Sequence, residues 1–81
     1  MSMPQIEKCR RRMIRRCRKI IAECDQCLRD IAWWNTNRSE CPPIDPEPFR
    51  VKGMLARQVL ECVEQRRPIP DDIARRFTTD D

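Results

Sequence analysis

The chain has 81 residues, 17 basic and 13 acidic, for a net charge of +4, with 40% apolar and 37% charged side chains. One small domain is expected, burying only ~60% of its unfolded surface; the apolar content exceeds that of a disordered chain yet is lean enough that a second chain is expected to help complete the fold. With no His, no Tyr and a single Gly, His-based catalysis, His metal sites and glycine-rich phosphate loops have no residues to be built from, and a non-enzymatic protein is expected.

The longest unbroken apolar run, Ile31-Ala32-Trp33-Trp34, is far short of the ~20 residues a membrane span needs. The start, Met1-Ser2-Met3-Pro4 followed by dense charge, lacks the apolar core of a secretory signal. A cytoplasmic chain away from the membrane is therefore expected, its six cysteines kept as thiols.

From Gln5 to Asn35 there is no Pro or Gly, and apolar residues recur at Ile6, Met13, Cys17, Ile20, Cys24, Cys27, Ile31 and Trp34 in steps of three and four. This pattern predicts a long amphipathic helix over about 5–35, its stripe widened on one side by Ile14, Ile21 and Leu28. Arg10 points into that stripe and is expected to snorkel or to pair with an acid. A connector over 36–45, with Pro42-Pro43, ends the helix. Asp45-Pro46-Glu47-Pro48 is a helix start, with a capping acid, a Pro where no donor is lost and an acid at the positive end of the dipole.

The second helix is predicted over about 46–67, stopped by Pro68 and Pro70. Val51, Leu55, Val59 and Cys62 form one apolar face, and Phe49, Ala56, Leu60 and Val63 another. Together they span roughly 240° and demand cover on two sides. The first helix, a short third helix over about 70–78 and a second subunit are expected to provide it. The fold class is all-α: a long antiparallel helical hairpin plus a short C-terminal helix, dimeric. The second helix is the shorter, so the basic first turns of the first are expected to stand uncovered, with the acidic tail (Asp71, Asp72, Asp80, Asp81) ending nearby.

Charge is segregated. Residues 1–22 carry eight basic side chains against Glu7, and residues 23–81 carry nine basic and twelve acidic ones. Lys8, Arg11, Arg12, Arg15, Arg16, Arg18 and Lys19 span roughly 160° of the first helix opposite its apolar stripe, a footprint for phosphates or for an acidic protein surface; a merely solvated face is the plainer alternative. Against nucleic acid stand the absence of aromatics within the strip and a spacing unlike helix-turn-helix or basic-zipper proteins. Adjacent Trp33 and Trp34 lie about 100° apart, so Trp34 is expected in the core and Trp33 outside. Near Arg29 and Arg38, Trp33 is either an interface anchor or a cover for the proline-rich connector. Cys24-x-x-Cys27 matches half a zinc site or a redox pair, but both lie in the apolar stripe, and Cys41 and Cys62 lack knuckle spacing, so packing is the expected role and no metal or cofactor is expected.

At Trp33-Trp34-Asn35-Thr36-Asn37-Arg38 and Cys41-Pro42-Pro43-Ile44-Asp45-Pro46-Glu47-Pro48-Phe49 the chain resembles small accessory proteins of transposable bacteriophages from GC-rich hosts. The resemblance implies a small, often dimeric helical protein that binds a host protein, such as a transcriptional or quorum-sensing activator or a defence complex, and inhibits it. It carries over no site residues. The partner-binding residues expected from charge and exposure are Arg11, Arg12, Arg15, Arg16, Arg18, Lys19, Trp33 and Arg38. Core or dimer contacts are expected from Phe49, Val51, Leu55, Val59, Leu60, Cys62 and Val63. The alternative is a small basic nucleic-acid-binding regulator of transcription using the same strip.

Overall fold

The computed structural model describes residues 3–79, which form three helices: α1 (Met3–Asn37), α2 (Glu47–Glu64) and α3 (Asp71–Thr79). Among the described residues there is no strand, as the all-α reading expected. At 1.5 Å per residue the 35 residues of α1 reach about 52 Å, nearly the 57 Å long axis of the molecule.

The cross-links between α1 and α2 run in opposite senses along the two helices. Asn35 holds Ile44 at both its backbone groups, accepting from Ile44 N–H at 2.8 Å and donating to Ile44 O at 3.0 Å. Asp25 meets Arg57 at 3.3 Å, and Arg10 reaches Val63. The connector doubles back on α1, and Asp45 accepts the Glu47 N–H at 3.0 Å where α2 begins. Pro48 brings no donor to this first turn, while Phe49 and Arg50 share the Pro46 carbonyl.

The core is small: Cys17, Ile20 and Cys24 from α1, Leu55, Ala56 and Val59 from α2, and Phe77 from α3. Gly53 meets α1 at Cys24, and Leu55, about half a turn round the helix, is only 1% exposed. Helix α2 is thus covered on two sides, the second by Ile73 and Phe77 of α3 together with Ile69 just before it. Val51, Leu60 and Val63 pack at its margin, and Phe49 and Cys62 are half-buried.

A Cβ added at Gly53 would sit 3.5 Å from Cys24 Cβ, an ordinary contact, and the residue has no positive φ. Gly in a helix interior costs roughly 0.5–1 kcal/mol relative to Ala. Gly53→Ala is therefore expected to raise the thermal midpoint, followed by circular dichroism, by a few degrees; a fall would show that the α1–α2 contact has no room for a methyl group.

Helix α2 ends at Glu64, three residues before the boundary expected from the prolines. Arg66 adopts φ 57°, the Arg66 N–H donates to Val63 O at 3.3 Å, and the Arg67 N–H donates to Cys62 O at 2.8 Å. This is a left-handed helix stop, built here on Arg where Gly is usual. Pro68 disfavours helical backbone at Arg67, so the chain turns out before it. The other ends differ from expectation by one or two residues: α1 runs 3–37 rather than 5–35 and α3 runs 71–79 rather than 70–78.

Candidate partner-binding face

Arg10 shows how the N-terminal half of α1 is fixed. Its Nε donates to Val63 O at 3.2 Å and an Nη to Glu64 O at 3.3 Å, with Glu7 Oε2 3.7 Å away. The cation thus lies on the last carbonyls of α2, sharing Val63 O with the Arg66 N–H, where the dipole favours it, and the pairing expected of an Arg in the apolar stripe is made. Glu7 also meets Arg66 at 2.9 Å. Ile6, 43% exposed, precedes these contacts, so the expected overhang is confined to the first turns of α1. Asp71 and Asp72 are exposed; Asp80 and Asp81 lie outside the described residues.

The strip residues take three different environments. Arg16 lies over the Phe77 ring, 5.6 Å from its centroid, and so belongs partly to the α1–α3 contact. Arg18 pairs with Glu64 at 3.5 Å. Lys8, Arg11, Arg12, Arg15 and Lys19 are exposed, and among the described residues no carboxylate pairs with them. Eleven residues separate Lys8 from Lys19, about 17 Å of helix.

Trp33 is 56% exposed. Eighteen residues, five whole turns, separate it from Arg15, and the same interval separates Arg11 from Arg29. Arg11, Arg15, Ala22, Arg29 and Trp33 therefore fall within about 40° of one another on α1. Widened to about 100°, this face takes in Lys8, Arg18, Lys19 and Gln26 and still no acid, because Glu7, Glu23, Asp25 and Asp30 fall outside it. It extends for about 38 Å. Arg29 donates to Gln26 Oε1 at 3.3 Å and Gln26 to Asp30 at 2.9 Å, which orders the stretch before Trp33.

Arg38 lies off this face. It stacks on Trp34, 5.7 Å from the ring centroid, and meets Glu40 at 3.8 Å. Trp34 is half-buried, less enclosed than the sequence suggested. Thr36 and Asn37 donate to the carbonyls of Ala32 and Trp33, each at 2.8 Å, as α1 closes. The five-turn register of Arg15 and Trp33 is readable from the sequence, but it gains meaning only once α1 is known to be continuous over both.

Cys17 and Cys24 are buried, and Cys9 is exposed. Burial raises both buried thiols above the ordinary range, opposed at Cys17 by Arg16 and at Cys24 by Lys52, while Cys27, Asp25 and Glu23 reinforce the rise at Cys24. Among the described residues no three Cys, Asp or Glu side chains are grouped to hold a metal ion. Because the folded state keeps these protons more tightly, the stability they confer is complete below the unfolded thiol pKa and lost as pH climbs through the raised values, so unfolding becomes easier above about pH 9. Under native alkylation Cys9 is expected to react, whereas Cys17 and Cys24 react only after denaturation; mass mapping of the labelled peptides checks this, and early labelling at Cys24 would contradict its packing role.

No helix among the described residues is long and apolar enough to cross a membrane. The chain matches no protein family, no curated protein and no solved structure.

Proposed function

We propose that the chain is a non-enzymatic binding protein, working as a homodimer, that seats an acidic surface of a host regulatory protein on the outer face of α1 and thereby blocks it. The observation that carries this reading is the acid-free face itself, with unpaired cations at one end and an exposed Trp33 at the other. A solvated helix face usually interleaves both signs of charge. Segregated charge instead steers an acidic partner, and a large exposed aromatic at the end of the track supplies the anchoring contact typical of interface centres. The resemblance to accessory proteins of transposable bacteriophages supplies the class of partner: a transcriptional or quorum-sensing activator, or a defence complex. The contact falls on an acidic part of that partner, because a basic DNA-binding surface repels this face.

Five cations over about 17 Å also suit a phosphate backbone, which keeps a nucleic-acid-binding regulator as the second reading. A nuclease-treated pull-down from host lysate separates the two. Wild-type chain is expected to retain a stoichiometric protein that Trp33→Ala loses by roughly 30-fold, the equivalent of about 2 kcal/mol, with circular dichroism unchanged. Capture that disappears with nuclease replaces the first reading with the second. Capture that Trp33→Ala leaves intact removes this face as the site.

A further inference from the structure

Beside the acid-free face, on the flank of α1 turned towards α2, lie Ile14, Ile21 and Leu28. Seven residues apart, they fall within about 40° of one another and span about 21 Å. All three are only partly buried. Ile21 packs on the core beneath it. Ile14 floors an open cleft of about 450 Å³ with Arg11, Arg15 and Arg18. Leu28 lines an open groove of about 270 Å³ with Phe49, Gly53 and Met54 of α2, and Met54 is 47% exposed. Two exposed ion pairs bracket Ile21: Arg18 with Glu64 at 3.5 Å and Asp25 with Arg57 at 3.3 Å.

This order is self-complementary on reversal. Ile14 and Leu28 are equidistant from Ile21, and the charges on either side of it have opposite sign. We propose that a second copy of this chain covers this face, α1 antiparallel to α1, with the two-fold axis beside Ile21. Ile14 then meets Leu28 of the second copy, and Ile21 meets its own counterpart. Arg18 comes beside Asp25 of the second copy, since residues flanking an antiparallel helix seam pair with their own kind of position across it. The run Glu64, Arg18, Asp25 of the second copy, Arg57 of the second copy alternates in sign, and the axis generates it twice. A parallel, in-register pair instead opposes Arg18 to Arg18 and Asp25 to Asp25, which is repulsive. Charge order therefore selects both the occupant and its direction. The arrangement lays two acid-free tracks side by side in opposite directions, each with its own Trp33 at the far end.

The inference rests on the homodimer of the proposed function and names its surface. Sedimentation equilibrium of the full chain tests it. Wild type is expected at twice the monomer mass of 9.8 kDa, Ile21→Asp at the monomer mass with its helical circular dichroism retained, and Arg18→Glu with a dimer dissociation constant at least tenfold weaker. Gln26→Glu, on the outer track, is expected to change the dissociation constant less than twofold. Should Ile21→Asp lose its helix signal, Ile21→Cys decides: mild oxidation is expected to link two copies through this position, identified by peptide mapping, and failure to link there overturns the proposal. A dimer that persists in folded Ile21→Asp removes this surface while leaving the homodimer standing. A wild type that stays monomeric at every concentration removes both.

Discussion

Leu55→Ala is expected to lower the unfolding free energy by about 3 kcal/mol, within the usual range for truncating a buried Leu. The whole chain, by ordinary scaling, has ~4–12 kcal/mol to lose. Leu55 is 1% exposed and sits in the one cluster to which all three helices contribute. Collapse into the vacated space is restricted because α1 and α2 are pinned at both ends, by Asn35 on Ile44 and by Arg10 on Val63 and Glu64. Detachment of α3 is the easier response, since a helix of nine residues does not persist without packing. The midpoint in a urea titration is expected to fall by a quarter or more. The adjacent Met54, 47% exposed, provides the control, and Met54→Ala is expected to cost less than about 1 kcal/mol. Equal losses at the two positions would mean that α2 is rotated from the orientation described.

The contrast between these neighbours was legible in the sequence, because periodicity reports which residues share a face. Leu55 and Val59 repeat at helical spacing with Val51 and Cys62, and the breadth of the combined arc already required two covers. The same logic placed Arg10 in the apolar stripe and demanded a partner for it. It did not reveal that the partner is a helix end. The carbonyls of Val63 and Glu64 are backbone groups, present at every residue, and only the register of the hairpin brings these two to Arg10. The stop of α2 was misplaced for a related reason. Proline marks where a helix cannot continue, whereas the left-handed Arg66 is a backbone state that Arg disfavours and that composition gives no reason to expect. The clamp between Asn35 and Ile44 was equally hidden: an Asn at a helix end reads as an ordinary terminating residue until the connector folds back on it.

The candidate site divides along the same line. Its charges and its tryptophan are composition, visible at once. Which cations are free is tertiary information, since Arg18 is engaged by Glu64 and Arg16 by Phe77, although both look equivalent to Arg15 on a list of residues. Exposure of Trp33 is tertiary too, since the connector had an equal claim on its ring.

Arg11→Glu combined with Arg15→Glu is expected to weaken partner binding by roughly 100- to 1000-fold at low salt, a loss of about 3–4 kcal/mol. The exchange alters the track by four charge units, leaving Lys8, Lys19 and Arg29 as its cations without an ion pair among the described residues, with Arg12 beside it. Both side chains are exposed, and among the described residues neither makes an ion pair, so helix content and melting temperature are expected to stay close to wild type. The kinetic form of the loss identifies its cause. Long-range attraction acts on encounter, so the association rate is expected to carry most of the change, and the gap between variant and wild type is expected to narrow as salt shortens the range of the field to about 10 Å near 0.1 M. Trp33→Ala, which removes an anchoring contact, is expected to appear chiefly in dissociation and to depend little on salt. If the track instead holds phosphates, the wild-type log–log salt slope is about −0.9 per contact on duplex DNA, and removing two contacts reduces its magnitude by about two. A double reversal that changes neither rate, for a protein partner or for duplex DNA, would reduce the track to a solvated face and leave Trp33 without a steering field.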